Sequence, residues 1–400
     1  MDHVRTLRAS DTEPRPIYAV WELTLKCDQP CQHCGSRAGA ARVEELSLEE
    51  ILRVASELAE LGCREVVLIG GEAYLRPDLP QIVRHLAERS VRVIMQTGGR
   101  ALTVERARAL ADAGLSQVGV SIDGPAAIHD RLRGNLGSWA AAMRALENAA
   151  SVGLGVSANS QINRLNMDHL EGMFETFHRA GVRSWQVQLT APMGRAADHP
   201  EWIVEPWMVV PILDRLAAIQ ERAAELFAED GGEGRMFDVF CGNNLGYFGP
   251  HETLLRSRPH GDEVHWSGCQ AGVRSVGIES DGTVKGCPSL PTAPYAGGNV
   301  RAASLAHIWA EDPTVRFPRG RANGELWGFC ASCHYAEVCG AGCAWTAHTT
   351  LGKRGNYPFC YHRAKTLERR GLRERLVHRT RAPHEPYDFG RFELVLEPVP

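Results

Sequence analysis

Residues 17–34 read IYAVWELTLKCDQPCQHC, and this stretch decides the fold. Its first half is an apolar, β-branched run of the kind that forms a buried strand. Its second half spaces Cys27, Cys31 and Cys34 as CxxxCxxC on the loop that follows. Three thiolates can hold three irons of a cubane 4Fe-4S cluster and leave the fourth iron open to a ligand. A fourth cysteine would close the cluster for electron transfer alone, so the triplet points to an enzyme. Zinc is the plain alternative for the same three residues.

Working outward, short apolar runs at 19–24, 65–69, 91–96, 117–122, 155–160 and 184–189 alternate with helical patterns. The first helix shows a capping box, Ser47 with Glu50, an apolar face at Leu48, Ile51, Leu52, Ala55 and Leu58, and a stop at Gly62. Others start near Asp78, Thr103, Ser138 and Asn166. Strands and helices alternating at this spacing build right-handed βαβ units, hence an α/β fold with a parallel sheet, open or part of a barrel. Functional groups are then expected where strands run out into loops. The chain divides into an N-terminal segment 1–16, this α/β unit over 17–200, and a bridging region 201–266 with a helix-like 209–229. A loop-rich unit follows over 267–363, where metal replaces part of the core. The tail 364–400 is basic and ends in a strand-like stretch at 389–397.

The composition, 44% hydrophobic and 23% charged over 400 residues, suits a soluble globular protein of two or more domains. A net charge of -4 gives no reason to expect nucleic acid or a membrane surface as partner. The first 16 residues hold no apolar signal core and no run is long enough to span a bilayer, so a cytoplasmic location is expected. Twelve cysteines in such a chain are metal or redox ligands before they are a disulfide framework.

Two further motifs follow strands. Gly70-Gly71-Glu72 offers a backbone that a ligand can approach and a carboxylate that can accept from an ammonium group. Alone it is an ordinary βα turn. Ser121-Ile122-Asp123-Gly124 puts two hydrogen-bonding side chains on one face of a strand end, suited to vicinal ribose hydroxyls.

In this order the motifs resemble the radical S-adenosylmethionine (SAM) superfamily, which implies a partial (β/α)6 TIM-like barrel. The resemblance implies that Cys27, Cys31 and Cys34 hold the reducing cluster, that Gly70, Gly71 and Glu72 meet the SAM amino group, and that Ser121 and Asp123 face the ribose. It also pairs Arg133 with the SAM carboxylate, puts Met193 and its Gly194-Arg195 neighbours on the adenine side, and gives His33, where relatives carry an aromatic residue, a stacking role. Where many relatives have Thr-Asn-Gly, this chain has Thr97-Gly98-Gly99.

Cys269, Gly282, Cys287, then Cys330-x2-Cys333-x5-Cys339-x3-Cys343 and Cys360 resemble the seven-cysteine SPASM extension of that superfamily. The resemblance implies a C-terminal, loop-rich iron-sulfur domain with one auxiliary 4Fe-4S cluster on Cys330, Cys333, Cys339 and Cys360 and another on Cys269, Cys287 and Cys343. The latter lacks one ligand, which Cys241 could supply, though a free structural thiol is the competing reading. Cys63 reads as core. A zinc ribbon is the alternative for Cys330 to Cys343.

The implied function is a radical SAM oxidoreductase with three 4Fe-4S clusters and SAM. It would cleave SAM reductively and use the 5'-deoxyadenosyl radical to take hydrogen from a ribosomal peptide side chain, giving an oxidative modification such as a crosslink. Dehydrogenation of a small molecule such as an aminoglycoside is the enzymatic alternative, and an iron-sulfur or zinc scaffold the non-enzymatic one. Sulfatase-maturing relatives carry an acidic base after the second SPASM cysteine, and Pro288 stands there here. No catalytic base is assigned. Expected partners are a peptide substrate, a separate leader-binding protein because only 26 residues precede Cys27, and an external donor such as flavodoxin or ferredoxin. The basic tail, Arg369, Arg370, Arg373 and Arg375, is a second surface for an acidic leader or a solvated face.

Overall fold

A computed structural model describes residues 11, 13–257, 263–319 and 325–400. The start of the expected N-terminal segment lies outside them. Strands β1 (Tyr18–Glu22), β2 (Glu65–Ile69), β3 (Arg92–Thr97), β4 (Leu115–Ser121), β5 (Gly155–Ile162), β6 (Ser184–Leu189) and β7 (Asp238–Cys241) lie side by side in chain order, every pair parallel. Helices cross between them: α1 (Leu48–Glu60), α2 (Leu79–Ala87), α3 (Val104–Asp112), α4 (Ala126–Arg133), α5 (Ser138–Ser151), α6 (Leu170–Arg179) and α7 (Val209–Glu229). This is the partial barrel expected from the sequence. The capping box of α1 forms as read, with Ser47 accepting from the Glu50 N–H and Glu50 from the Ser47 N–H.

Three strands extend the sheet beyond the six expected. β7 comes from the stretch read as a bridge, and β8 (Ser275–Ile278) pairs parallel with β1 and antiparallel with β9 (Val284–Lys285). Both β7 and β8 are four residues long, too short for period-2 alternation to register against background. The C-terminal tail is a separate antiparallel hairpin, β10 (Leu372–Thr380) with β11 (Arg391–Pro398). Its charges are largely committed: Arg373 and Arg375 both pair with Glu397, Arg379 pairs with Glu393, and buried Arg363 forks onto Glu374.

Alternation sorts the strands into two faces. Trp21, Leu68, Met95, Val120, Ala158 and Val187 pack outward in the main core, beside helix residues such as Ile51, Leu58 and Ile82. The inner face is layered. A polar belt at the strand starts links Glu65, Arg92, Gln117 and Ser157 by hydrogen bonds, and Val20, Val67 and Ile94 form a small apolar plug above it. Toward the C-terminal ends the inner positions turn polar again, so the barrel is closed below and open for a ligand above.

Candidate functional site

The triplet loop leaves β1 and is pinned at both ends: Cys27 N–H donates to the Gly39 carbonyl and Gly39 N–H to Leu25, both at 2.9 Å. Gly70 and Gly71 must be glycines here. A Cβ on Gly70 would lie 2.3 Å from the Thr24 carbonyl oxygen, and one on Gly71 2.2 Å from that of Lys26. Gly71 and Glu72 N–H groups bond to those same two carbonyls at 2.7 and 2.8 Å. The glycine pair thus locks the β2 loop onto the cysteine loop and delivers Glu72 to it. A ligand oxygen of Glu72, one of Asp28 and the Cys27 sulfur all lie within 4.8 Å of one another.

Glu72 is 3% exposed and accepts from the Thr97 hydroxyl and from Gly98 N–H at 2.7 Å. Burial pushes its carboxyl up to about 7, against those two donors. Gly98 leaves a cradle: a Cβ there would meet the Gln29 amide nitrogen at 2.3 Å and Glu72 at 2.9 Å. The Thr97-Gly98-Gly99 departure is thereby accounted for, since the amide filling this space comes from Gln29 on the triplet loop. Gln29 Nε2 and Arg133 Nε are buried donors without a partner among the described residues. A carboxylate acidified by an arriving ammonium, beside two orphaned donors suited to a second carboxylate, fits the amino-acid end of SAM. Burial raises the Cys27 thiol to about 12, and Cys31 and Cys34 add to that rise. Thiols crowded in this way suit a polycation such as an iron cluster.

Two expected SAM contacts, Asp123 and His33, are corrected, and a third, Arg133, is narrowed. Asp123 is 1% exposed, and its oxygens accept from His33 at 3.1 Å, Arg133 at 2.5 Å and the Gln161 N–H at 2.8 Å. Burial alone would raise its pKa, but Arg133 and then His33 hold the carboxyl well below its usual range. It braces the triplet loop and is not a free ribose acceptor. His33 has both ring nitrogens engaged, with Asp123 and with the Leu132 carbonyl at 3.0 Å, so its edge anchors the loop. Arg133 donates to Asp123 and, at 3.6 Å, to the Cys31 sulfur, and its Nε is buried with no partner among the described residues. Ser121 ends β4 beside Asn159 in register. Met193 is buried, its sulfur accepting from Trp345 Nε1, and Arg195 ties that loop to the Cys31 and Ala38 carbonyls.

The second constellation is brought together in two groups. Cys330, Cys333, Cys339 and Cys360 line one cavity walled by Tyr247, Phe248, Tyr335, Tyr357 and His362. Burial raises Cys339 to about 12, and Cys330 and Cys333 act on it. Cys287 and Cys343 are raised to about 11 and about 12 by burial, and both feel Cys269. Cys241 does not join them. It is buried among Leu213, Leu245 and Leu255, and the charges acting on its thiol are those of Arg256, Glu252 and Asp238. Cys63 is buried and donates to the Glu65 carbonyl, as a core thiol does.

Sequence reading missed the wall of the opening. On the inner face, near the strand ends, stand Glu22 of β1, Gln96 of β3, Asn159 and Gln161 of β5, and Gln186 and Gln188 of β6. Asn159 pairs in register with Gln186, Gln161 with Gln188, and the Asn159 amide donates to Gln96 across Gly119. Asn159 Oδ1 is buried and has no partner among the described residues. The signal was present in SANSQI and SWQVQL, where polar residues alternate inside strands that a fully covered parallel sheet would make apolar throughout.

Residues 21–179 match the family model described as Radical SAM superfamily, and residues 269–334 match that of SPASM, an iron-sulfur cluster-binding domain. The first domain implies a 4Fe-4S cluster with SAM and the second implies further iron-sulfur clusters. The chain is 29% identical over 359 residues to the AdoMet-dependent heme synthase of Methanosarcina barkeri, covering 87% of this chain and 97% of that one. It is 29% identical over 403 residues to the mycofactocin maturase MftC of Mycobacterium tuberculosis, covering 96% and 91%. Streptococcus suis SuiB bound to the precursor peptide SuiA shares the fold at TM-score 0.64 and 14% identity, over 87% of this chain and 76% of that one.

Proposed function

Starting from a radical SAM barrel joined to a SPASM domain, we propose that this enzyme oxidises a side chain of a ribosomally made peptide, forming a crosslink or related bond. When bound, SAM and three 4Fe-4S clusters supply one hydrogen-abstracting radical and an acceptor for the remaining electron, a net two-electron oxidation. Electrons enter from an external flavodoxin- or ferredoxin-type donor. In this reading Cys27, Cys31 and Cys34 hold the first cluster. Cys330, Cys333, Cys339 and Cys360 hold the second, and Cys269, Cys287 and Cys343 the third. Glu72, Gln29, Arg133 Nε and Ser121 orient SAM.

The observation that carries the peptide reading is the amide wall. Gln96, Asn159, Gln161, Gln186 and Gln188 offer paired donors and acceptors without charge, which suits the alternating N–H and C=O groups of a peptide backbone. The likeness to MftC supports the same class.

The likeness to the heme synthase favours a second reading, a tetrapyrrole carboxylate. Such a substrate calls for free cations, and three cations of this region are committed. Arg37 pairs with Asp198 and Asp388, Arg42 with Glu22 and Glu279, and Lys285 with Glu279. The test offers reconstituted, reduced enzyme either the short peptides encoded beside its gene or Fe-coproporphyrin III. Peptide mass loss of about two hydrogens in step with 5'-deoxyadenosine supports the proposal. Loss of carbon dioxide from the porphyrin with every peptide untouched refutes it.

A further inference from the structure

Residues 381–390 join β10 to β11 at the far end of the chain, yet they pack on the two loops that frame the triplet. Asp388, 7% exposed, is the junction. Its carboxylate accepts from Arg37 Nε at 2.7 Å and from the N–H groups of His384 and Glu385 at 2.6 and 3.1 Å. Its carbonyl accepts from Gly194 N–H at 2.7 Å, and Met193 and Phe389 form an antiparallel bridge beside it. Arg37 lies three residues beyond Cys34 and also forks onto Asp198 at 2.7 and 2.9 Å. On the other side, a Cβ on Gly194 would sit 2.2 Å from the Cys34 carbonyl oxygen. One aspartate therefore joins the triplet loop to the Met193 loop from the side of the hairpin, beside the direct bonds of Arg195 to Cys31, Cys34 and Ala38.

The backbone around it is held under constraint. His384 and Tyr387 take φ values of 71° and 59°, in the left-handed region that bulky residues avoid. The conformation is over-determined by the Asp388 bonds and by Tyr387, whose hydroxyl donates to Glu22 inside the barrel mouth. Lys285 Nζ lies 4.2 Å from the centroid of the Tyr387 ring.

We propose that loop 381–390 is a third wall of the SAM site and that Asp388 is its positioning residue, setting the gap SAM enters by holding Arg37 and Gly194 together. Asp388 acts through those two residues and does not touch SAM. The inference stands whichever substrate the enzyme takes, and its test uses SAM alone.

Full-length reconstituted protein is titrated with SAM, and binding is read from the change in the electron paramagnetic resonance spectrum of the reduced triplet cluster, without turnover. Asp388→Ala should weaken SAM binding about tenfold or more, the worth of one buried charge-assisted bond, at unchanged iron content. Arg37→Ala should do the same, and the double variant should bind no more weakly than the worse single one. Asp388→Asn keeps a side-chain oxygen that can accept from Arg37 Nε and should recover part of the loss. Arg379→Ala, an exposed ion-pair partner on the same hairpin, should bind as the parent does. If Asp388→Ala fails to take up iron, Asp388→Asn is titrated in its place, and parental affinity there overturns the proposal. It is likewise overturned if Asp388→Ala binds within twofold of the parent, if the Arg37 and Asp388 losses add, or if Arg379→Ala loses as much.

Discussion

The two cysteine regions are organised by opposite means. Around Cys27, Cys31 and Cys34 the protein spends charge: Asp123, Arg133 and His33 form a buried network, Arg195 and Arg37 grip the loop, and Glu72 with the amide wall faces an opening. Around Cys330, Cys333, Cys339 and Cys360 it uses rings, with Phe248 and Tyr335 stacked at 4.1 Å and Tyr247 edge-on to Tyr357 at 5.1 Å. A charged, orphan-bearing site is built to receive a polar ligand, whereas an aromatic cage keeps water away from a closed metal group. Under the proposed function, initiation belongs to the barrel and electron handling to the C-terminal region.

The largest effects should separate the two regions outright. Cys31→Ala should abolish SAM cleavage and remove about four of about twelve irons per chain. Cys339→Ala should lose a similar share of iron yet still yield 5'-deoxyadenosine without modified product. Equal loss of SAM cleavage in both would break the division, and iron analysis with product chromatography reads it.

Next comes the charge network. Asp123→Ala strands Arg133 as an uncompensated buried cation and should cost about 3–5 kcal/mol in denaturant unfolding. A replacement within the aromatic cage, Tyr335→Leu, should cost about 2 kcal/mol or less. Glu72→Gln removes the anion that meets the SAM ammonium and should weaken SAM binding by about ten- to a hundredfold, leaving the auxiliary iron in place. Smaller still, Gln188→Leu should raise the peptide KM about fivefold with SAM affinity unchanged, since one neutral hydrogen bond is at stake. Smallest is Cys241→Ala, which should leave iron content unaltered and cost about 1 kcal/mol in stability, and a loss of iron there would restore Cys241 as a ligand.

The sequence made the barrel legible because six strands alternate with amphipathic helices, and it made both cysteine groups legible because ligand spacing is local. What it hid is non-local. Cys241 precedes Cys269 in the chain, but its thiol is enclosed by Leu213, Leu245 and Leu255, which no local pattern brings to it. Asp123 looked like a free strand-end acceptor because nothing in its own segment reveals that His33, 90 residues earlier, folds onto it. Tyr387 and Asp388 sit in a tail read for its charge and a terminal strand, and their reach to Glu22 and Arg37 follows from a hairpin whose docking no local pattern announces.

The central claim, that the amide-lined opening presents a peptide to the SAM-derived radical, is tested most directly by isotope transfer. The peptides encoded beside the gene are prepared with deuterium at their side-chain carbons and incubated with reduced holoenzyme and SAM. The account predicts 5'-deoxyadenosine carrying one deuterium in proportion to modified peptide. Unlabelled 5'-deoxyadenosine alongside decarboxylated Fe-coproporphyrin III would contradict it.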